Sequence, residues 1–239
     1  EGRFVMNRET NHKEGWRAWH TIVRLPEFSV RPESTALIVI DITYQQASPN
    51  YGNCKRIIEA GNGDDLKYYL ERMKNKVMPA LKRLTEGFRT MGAPVIYTRC
   101  ASLRGDGSDQ TWRHRSFGLT IDADEYEAQI MEEIAPQSGD IVLVKTGSSI
   151  FTSTNCEHLL HNMGITTLVV TGIYTNSCVE GTIRVGGDLD FRCLMAEDAC
   201  AAMSPSGQAN AVEYLDGNFC HVKSSDEILN MLRKDNEAA

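Results

Sequence analysis

TTLVVTGIYTNSCVEGTIR (Thr166–Arg184) decides the fold class. The apolar run TTLVV suits a buried strand, a helix-like pattern follows the turn, and Cys178 sits at the join. A strand that feeds directly into a helix is the repeating unit of an α/β protein. The same unit recurs along the chain. ALIVI (36–40) is a continuous apolar run ending in Asp41 and reads as a strand buried on both faces. PVIYT (94–98), IVLVK (141–145) and TTLVVTG (166–172) are the second, third and fourth strands. FRCLMAED (191–198), a helix near 205–216, the strand FCHV (219–222) and a final helix near 225–234 complete the chain.

Helical spacing covers 64–91, through Leu66, Leu70, Met73, Val77, Leu81, Leu84 and Phe88, with Pro79 as a kink or a second start. A short helix is expected around 123–134 and another over 152–164, ending at Gly164. Residues 42–63 read as loop, and 100–120 as a long polar loop of the kind that is often functional. The alternation predicts an α/β fold, a parallel sheet with helices on both faces. No internal repeat or interdomain linker divides 35–239, so these residues are expected to form a single domain. Residues 1–34, polar with Phe4, Trp16, Trp19 and Phe28, read as an N-terminal extension wrapped on the body or on a neighbouring subunit.

A chain of 239 residues with 41% hydrophobic content is long enough to bury one core. Net charge of −7 argues against general nucleic-acid binding, yet leaves room for an anionic substrate in a locally basic pocket. No apolar run reaches the length of a membrane span, and the first residues lack the apolar stretch of a signal peptide. Seven scattered cysteines, with no C-x-x-C, speak against a disulfide scaffold or a zinc knuckle and fit a reducing, cytoplasmic setting.

Ligands of open α/β sheets bind outside the carboxyl ends of the strands. The first strand ends in Asp41, the third in Lys145, and the fourth runs into the turn that holds Cys178. Taken singly, each has a plainer role: a turn former, a solvated cation, a small packing residue. Together they put an acid, a cation and a thiol in one crevice. A helix start and a nearby ammonium both favour a thiolate, the form in which cysteine is a nucleophile. Asp41 would accept the thiol proton and return one to a leaving amine. Backbone N–H groups of the same turn would face a developing oxyanion. His158 and His161, three apart on a helix, lack ligand partners and read as surface residues.

These segments resemble the isochorismatase-like cysteine hydrolases. The likeness spans about 34–223 and is carried by TALIVID (35–41), GAPVIYTR (92–99), GDIVLVKTGSSIF (139–151), LVVTGIYTNSCVEGTIR (168–184) and AEDAC (196–200). It implies a three-layer α/β/α sandwich around a six-stranded parallel sheet, with Asp41, Lys145 and Cys178 as the catalytic triad. It also implies a cis peptide between Ile173 and Tyr174, and an oxyanion hole from the N–H groups of Tyr174 and Cys178. The implied reaction is amide hydrolysis through a thioester, with no cofactor, in a homo-oligomer (dimer or tetramer).

Two departures narrow the reading. DITY (41–44) replaces the D-x-Q-N common in the family, leaving Gln45 or Gln46 to supply the amide. No histidine lies between His20 and His114, so the metal site of nicotinamidases is not expected. The nearest likeness is to the ureidoacrylate, biuret and N-carbamoyl amidohydrolase branch, and so to a small linear amide, ureide or carbamoyl substrate. Gln46, Arg99, Trp112, His114, Arg115, Phe151 and Tyr174 are the candidate substrate-binding residues. Arg99, Arg113 or Arg115 would pair with a substrate carboxylate, or else with Asp106 and Asp109 or solvent. An idle family member that binds a metabolite or partner, and a redox-sensing thiol protein, are the competing readings. For the second, no resolving cysteine is evident near Cys178 in sequence.

Overall fold

The computed structural model describes residues 18, 21–118 and 120–237. Phe4, Trp16 and Trp19, and with them most of the expected extension, lie outside these residues. Six strands form one sheet: β1 (Thr35–Ile40), β2 (Val95–Cys100), β3 (Ile141–Lys145), β4 (Thr167–Ile173), β5 (Arg192–Ala201) and β6 (His221–Lys223). All neighbouring pairs are parallel, in the order β3-β2-β1-β4-β5-β6. The order reverses between β1 and β4, so a crevice opens at their carboxyl ends.

Alternation along each strand divides the core into two layers. Leu37, Val39, Tyr97, Val169 and Leu194 point to one face. There they pack against the helices α3 (Lys67–Arg72) and α4 (Met78–Thr90), and against a C-terminal helix, Ser225–Glu237. Ala36, Ile38, Ile40, Ile96, Val170 and Met195 point to the other face, towards Leu160, Ile183 and Leu215. The result is the three-layer sandwich. Helix α4 presents Leu81, Leu84 and Phe88 inward at spacings of three and four, and Pro79 stands at its start, where no backbone N–H is needed.

Five expectations about the connections change. Residues 42–63 are not all loop: they hold α1 (Tyr44–Ala47) and α2 (Gly52–Glu59). The long helix over 64–91 is split, because a π-turn at Met73–Val77 separates α3 from α4. Around 123–134 there are only two 3-10 turns, Tyr126–Ala128 and Glu132–Ile134. The backbone there is committed elsewhere: Ala123 N–H donates to Ser102 O at 2.9 Å and Met131 N–H to Ile42 O at 3.0 Å. The 100–120 loop contains α5 (Trp112–Ser116). Helix 152–164 is likewise two pieces, α6 (Ile150–Ser153) and α7 (Cys156–Asn162). Thr154 breaks it in extended conformation, its hydroxyl donating to Ile150 O at 2.6 Å and accepting from Cys156 N–H at 3.0 Å. Three helices complete the chain: α8 (Glu180–Asp188), α9 (Pro205–Leu215) and α10, the C-terminal one.

The described end of the leading segment is tied to the body. Leu25 N–H donates to Gly217 O at 2.8 Å, and Val30 is fully buried. Among the described residues no helix is long and apolar enough to cross a membrane.

Gly172 closes β4 beside β1 at the crevice, with φ of +106°. A Cβ there would collide with the backbone carbonyl of Ile40, which cannot swing aside. Gly172→Ala is therefore expected to destabilise the protein by at least about 3 kcal/mol, a clash added to a φ that alanine disfavours. Urea unfolding of the two proteins would measure it, and an unchanged midpoint would contradict the close approach.

Candidate active site

Three strand ends meet at the crevice. Asp41 follows β1 with φ of +57°, a left-handed conformation that aspartate tolerates better than most residues. The turn is held by its own backbone: Asp41 N–H donates to Thr98 O at 3.1 Å, and Thr43 N–H donates to Asp41 O at 2.8 Å. Its carboxylate is fixed as well. Oδ1 accepts from the Thr98 hydroxyl at 2.9 Å, and Oδ2 lies 2.7 Å from Lys145 Nζ. The contact with the Lys145 ammonium is a close buried ion pair. Nζ also donates to Gly147 O, 2.9 Å away, and to Cys178 Sγ, 3.4 Å away.

Asp41 and Lys145 are both at 0% exposure, and Cys178 is at 6%. At Lys145 burial opposes the charge, but Asp41 and the two nearby thiols favour it more, and the ammonium titrates above its ordinary range. At Cys178 burial raises the pKa. Lys145 opposes that rise, while the Asp41 charge and a thiol–carboxylate hydrogen bond add to it. The net direction is up. The sequence reading, in which helix and lysine favour a thiolate, is thus opposed by burial, which shifts Cys178 towards the neutral thiol.

The turn itself is also not the expected start of a regular helix. Thr175–Val179 forms a π-turn, with Asn176 out of helical geometry, and the regular helix begins at Glu180. The peptide between Ile173 and Tyr174 is cis, at the position the family resemblance indicates. Tyr174 O accepts from the N–H groups of Ser177 at 2.9 Å and Val179 at 3.3 Å, on either side of Cys178.

Cys178 opens onto a cavity of about 270 Å³, near the low end of ligand pockets. Gln46, His114 and Tyr174 line it, as the sequence suggests, and so does Arg113. Arg99, Trp112, Arg115 and Phe151 do not. Arg99 alternates with Cys100 along β2, so only Cys100 faces the cavity; the Arg99 guanidinium donates to Gln129 Oε1 at 2.7 Å and Ala123 O at 3.0 Å. Arg115 is spent on Gln110 O at 2.6 Å, and Trp112 is 76% exposed on the outer side of α5. Phe151 stacks on Phe191 at 5.5 Å within the second core layer. His158 and His161 are also away from the cavity: His158 bonds Asn162, and His161 stacks on Phe191.

Sequence reasoning missed Asn53, Cys100, Gln110 and Met203, which line the cavity from four different segments. Cys100 was within reach, since it ends β2 just as Lys145 ends β3, and the two are register partners. It supplies the second thiol that proximity in sequence does not reveal; burial first, then the Asp41 and Cys178 charges against Lys145, push it up to about 12. Asn53 Oδ1 is buried without a hydrogen-bond partner, an acceptor available to a ligand N–H. No Asp or Glu lines the cavity, and Arg113 is its one lining Arg or Lys among the described residues. Arg113 donates to the Ser148 hydroxyl at 2.8 Å and packs over Phe117. His114 is held below its ordinary pKa by burial, with Lys145 and Arg113 adding to that, so its ring is neutral near pH 7. Among the described residues, no group of three His, Cys, Asp or Glu side chains is placed to hold a metal ion.

The chain is 31% identical to N-carbamoylsarcosine amidase of Arthrobacter sp over 161 residues, which span 65% of this chain and 61% of that relative. It is 31% identical to the ureidoacrylate amidohydrolase RutB of Caulobacter segnis, covering 74% of this chain and 76% of the relative. RutB of Serratia proteamaculans is 30% identical over 89% of this chain and 88% of its own length. Among solved structures, a cysteine hydrolase from Pseudomonas syringae superposes with a TM-score of 0.73 over 88% of this chain and 98% of that one; at 24% identity it shows the fold alone. N-carbamoylsarcosine amidase from Thermoplasma acidophilum gives 0.60 at 25% identity, over 81% and 97%. The isochorismatase domain matches residues 35–227, and the chain belongs to the isochorismatase family.

Proposed function

We propose that this protein is a cysteine-dependent amidohydrolase that cleaves a small non-peptide amide, ureide or carbamoyl compound through a thioester. The observation that carries the reading is the contact series Asp41–Lys145–Cys178, 2.7 Å and then 3.4 Å, buried under a small cavity. The amidase and amidohydrolase names of the relatives support it.

The steps follow from the resting protonation states. Cys178 starts as a thiol, so its proton passes to Asp41 as Sγ attacks the substrate carbonyl carbon. The Lys145 ammonium, fixed 3.4 Å from Sγ, stabilises the negative charge that appears on sulfur. The oxyanion is received by the N–H groups of Tyr174 and Cys178. As the tetrahedral intermediate collapses, the carbon–nitrogen bond breaks, and the leaving amine or ammonia takes the proton from Asp41. Water then attacks the thioester with Asp41 as base, the carbon–sulfur bond breaks, and the proton returns to Cys178. The thiol proton leaves on the amine, and the attacking water restores it through Asp41.

Arg113, unmatched by any acid in the cavity lining, is placed to pair with a carboxylate on the substrate. Neutral His114 then offers a hydrogen bond rather than a second charge, and the Asn53 acceptor takes a ureido N–H. Assembly as a homo-oligomer and a cytoplasmic location complete the reading.

Three expectations follow from it. Ammonia release should occur from at least one of ureidoacrylate, biuret, N-carbamoyl amino acids or maleamate, and Cys178→Ala should lower it by about 10³-fold or more; turnover surviving in the variant would remove the thioester route. Alkylation of Cys178 by iodoacetamide, followed by peptide mass spectrometry, should keep accelerating above pH 9, because the thiol pKa is raised and the thiolate fraction is still growing there. A plateau by pH 7 would mean a preformed thiolate. Arg113→Ala should raise KM about 10- to 100-fold for a carboxylate-bearing substrate and little for its neutral amide analogue, as expected for loss of one charged hydrogen bond. Equal losses for both compounds would take the carboxylate role away from Arg113.

A further inference from the structure

The nucleophile turn is anchored from behind by a buried polar relay. Thr175 lies three residues before Cys178 and is fully buried. Its hydroxyl donates to Gln208 Oε1 at 2.8 Å, and the N–H of Ala202 donates to the same oxygen at 2.9 Å. A backbone N–H can only donate, so the Gln208 amide is oriented with its oxygen towards the turn. Its Nε2 faces Glu197 Oε1 at 3.4 Å. Glu197 is in turn clamped by Arg72 of α3, which also donates to Cys200 O at 2.8 Å and Glu197 O at 2.7 Å. Gln208 itself is 4% exposed and stands in the first turns of α9, whose start is capped by the Ser204 hydroxyl. That turn packs tightly on the nucleophile turn: a Cβ on Gly207 would approach Asn176 Nδ2 to 3.2 Å.

One side-chain oxygen therefore joins two segments that both line the cavity. Tyr174, Ser177 and Cys178 belong to the first, and Met203, next to Ala202, to the second. We propose that Gln208 is a positioning residue, which through Thr175 sets where Cys178 Sγ stands relative to Lys145. It touches no substrate. A Cys–Lys contact of 3.4 Å between buried groups tolerates little displacement of the turn, and a turn with a non-helical residue and a π-type widening lacks the regular backbone ladder that would otherwise fix it. The proposal rests on the amidohydrolase reading only for its kinetic readout.

The test uses the full-length protein with three substitutions and two readouts. Thr175→Val keeps the shape and removes the donor; Thr175→Ser restores the hydroxyl. The rate of Cys178 alkylation, read by mass spectrometry, needs no substrate, and kcat is measured on whichever amide is turned over. Thr175→Val should slow alkylation and lower kcat by about three- to tenfold, the scale of one buried hydrogen bond, with KM little changed, and Thr175→Ser should recover most of both.

Gln208→Glu makes the relay titratable. The charged groups it would meet there are Glu197 and Arg72, and next to the Glu197 carboxylate the new carboxyl holds its proton above the ~4.3 usual for glutamate. When protonated it offers the same acceptor to Thr175 and a donor to Glu197, so the variant should match the wild type at low pH. Its deficit should open as pH rises and the donor is lost. A substitution that merely loosened the fold would give a deficit without that pH dependence.

Alkylation rates within twofold of wild type for Thr175→Val, at unchanged melting temperature, would overturn the proposal. So would a Gln208→Glu deficit that is flat with pH. If Gln208→Glu does not fold, the Thr175 pair decides alone. If no amide is hydrolysed but alkylation responds as described, the amidohydrolase reading fails and the positioning role stands.

Discussion

Lys145 carries a full charge at 0% exposure, 2.7 Å from Asp41 and at the carboxyl end of the sheet. Taking two charges out of water costs several kcal/mol each, and only close pairing and further hydrogen bonds repay it. Both are supplied: Thr98 serves the carboxylate, and Gly147 O and Cys178 serve the ammonium. The rest of the architecture makes that pairing possible. β1 and β3 are not neighbours; β2 lies between them, and the residue after β1 has to reach past the end of β2. The left-handed φ of Asp41 is the local form of that reach.

The same burial decides the chemistry. A thiol pressed against apolar core on one side and a carboxylate on the other stays neutral, even with an ammonium 3.4 Å away. In the proposed mechanism, charge on sulfur is then created during the reaction, next to a cation already in place, rather than stored beforehand. The cavity above follows a different rule. Its walls come largely from loops and short helices, α1, α2 and α5, and combine apolar side chains such as Ile57, Phe117 and Met203 with uncharged polar ones and a single guanidinium from Arg113. Strand ends and the turn after β4 hold Asp41, Lys145 and Cys178, whereas loops and short helices line much of the space above them.

The sheet was legible because buried parallel strands are continuous apolar runs; IVLVK matches β3 residue for residue, and the other strands shift by only a few positions. Asp41, Lys145 and Cys178 could be brought together from the rule about strand ends alone, with the family resemblance adding the cis peptide. The connections were less legible for identifiable reasons. Helix α2 starts on a glycine with φ of +48° and is short, so its composition reads as loop. The helical spacing over 123–134 lost to backbone bonds with Ser102 and Ile42, which no local pattern announces. Arg99 and Cys100 differ by one position and point to opposite sides, so choosing the cysteine over the arginine required the register of β2. Asn53 and Met203 reach the cavity only through tertiary packing, and periodicity holds no record of that.

The parallel order of the sheet also sets when the site can exist. Thr171 of β4 donates its hydroxyl to Ile38 O of β1 across a sequence separation of 133 residues. Closing so long a loop is an entropic toll that only the assembled sheet offsets, and chains rich in such contacts fold slowly. A growing chain presents Asp41 and Lys145 well before Cys178, and until β4 docks beside β1 nothing justifies burying their charges. The three groups meet only when β1, β2, β3 and β4 are paired. The meeting of Asp41, Lys145 and Cys178 thus depends on the folding of the whole sheet, and a partially folded form is expected to lose the assembled site before it is visibly unfolded.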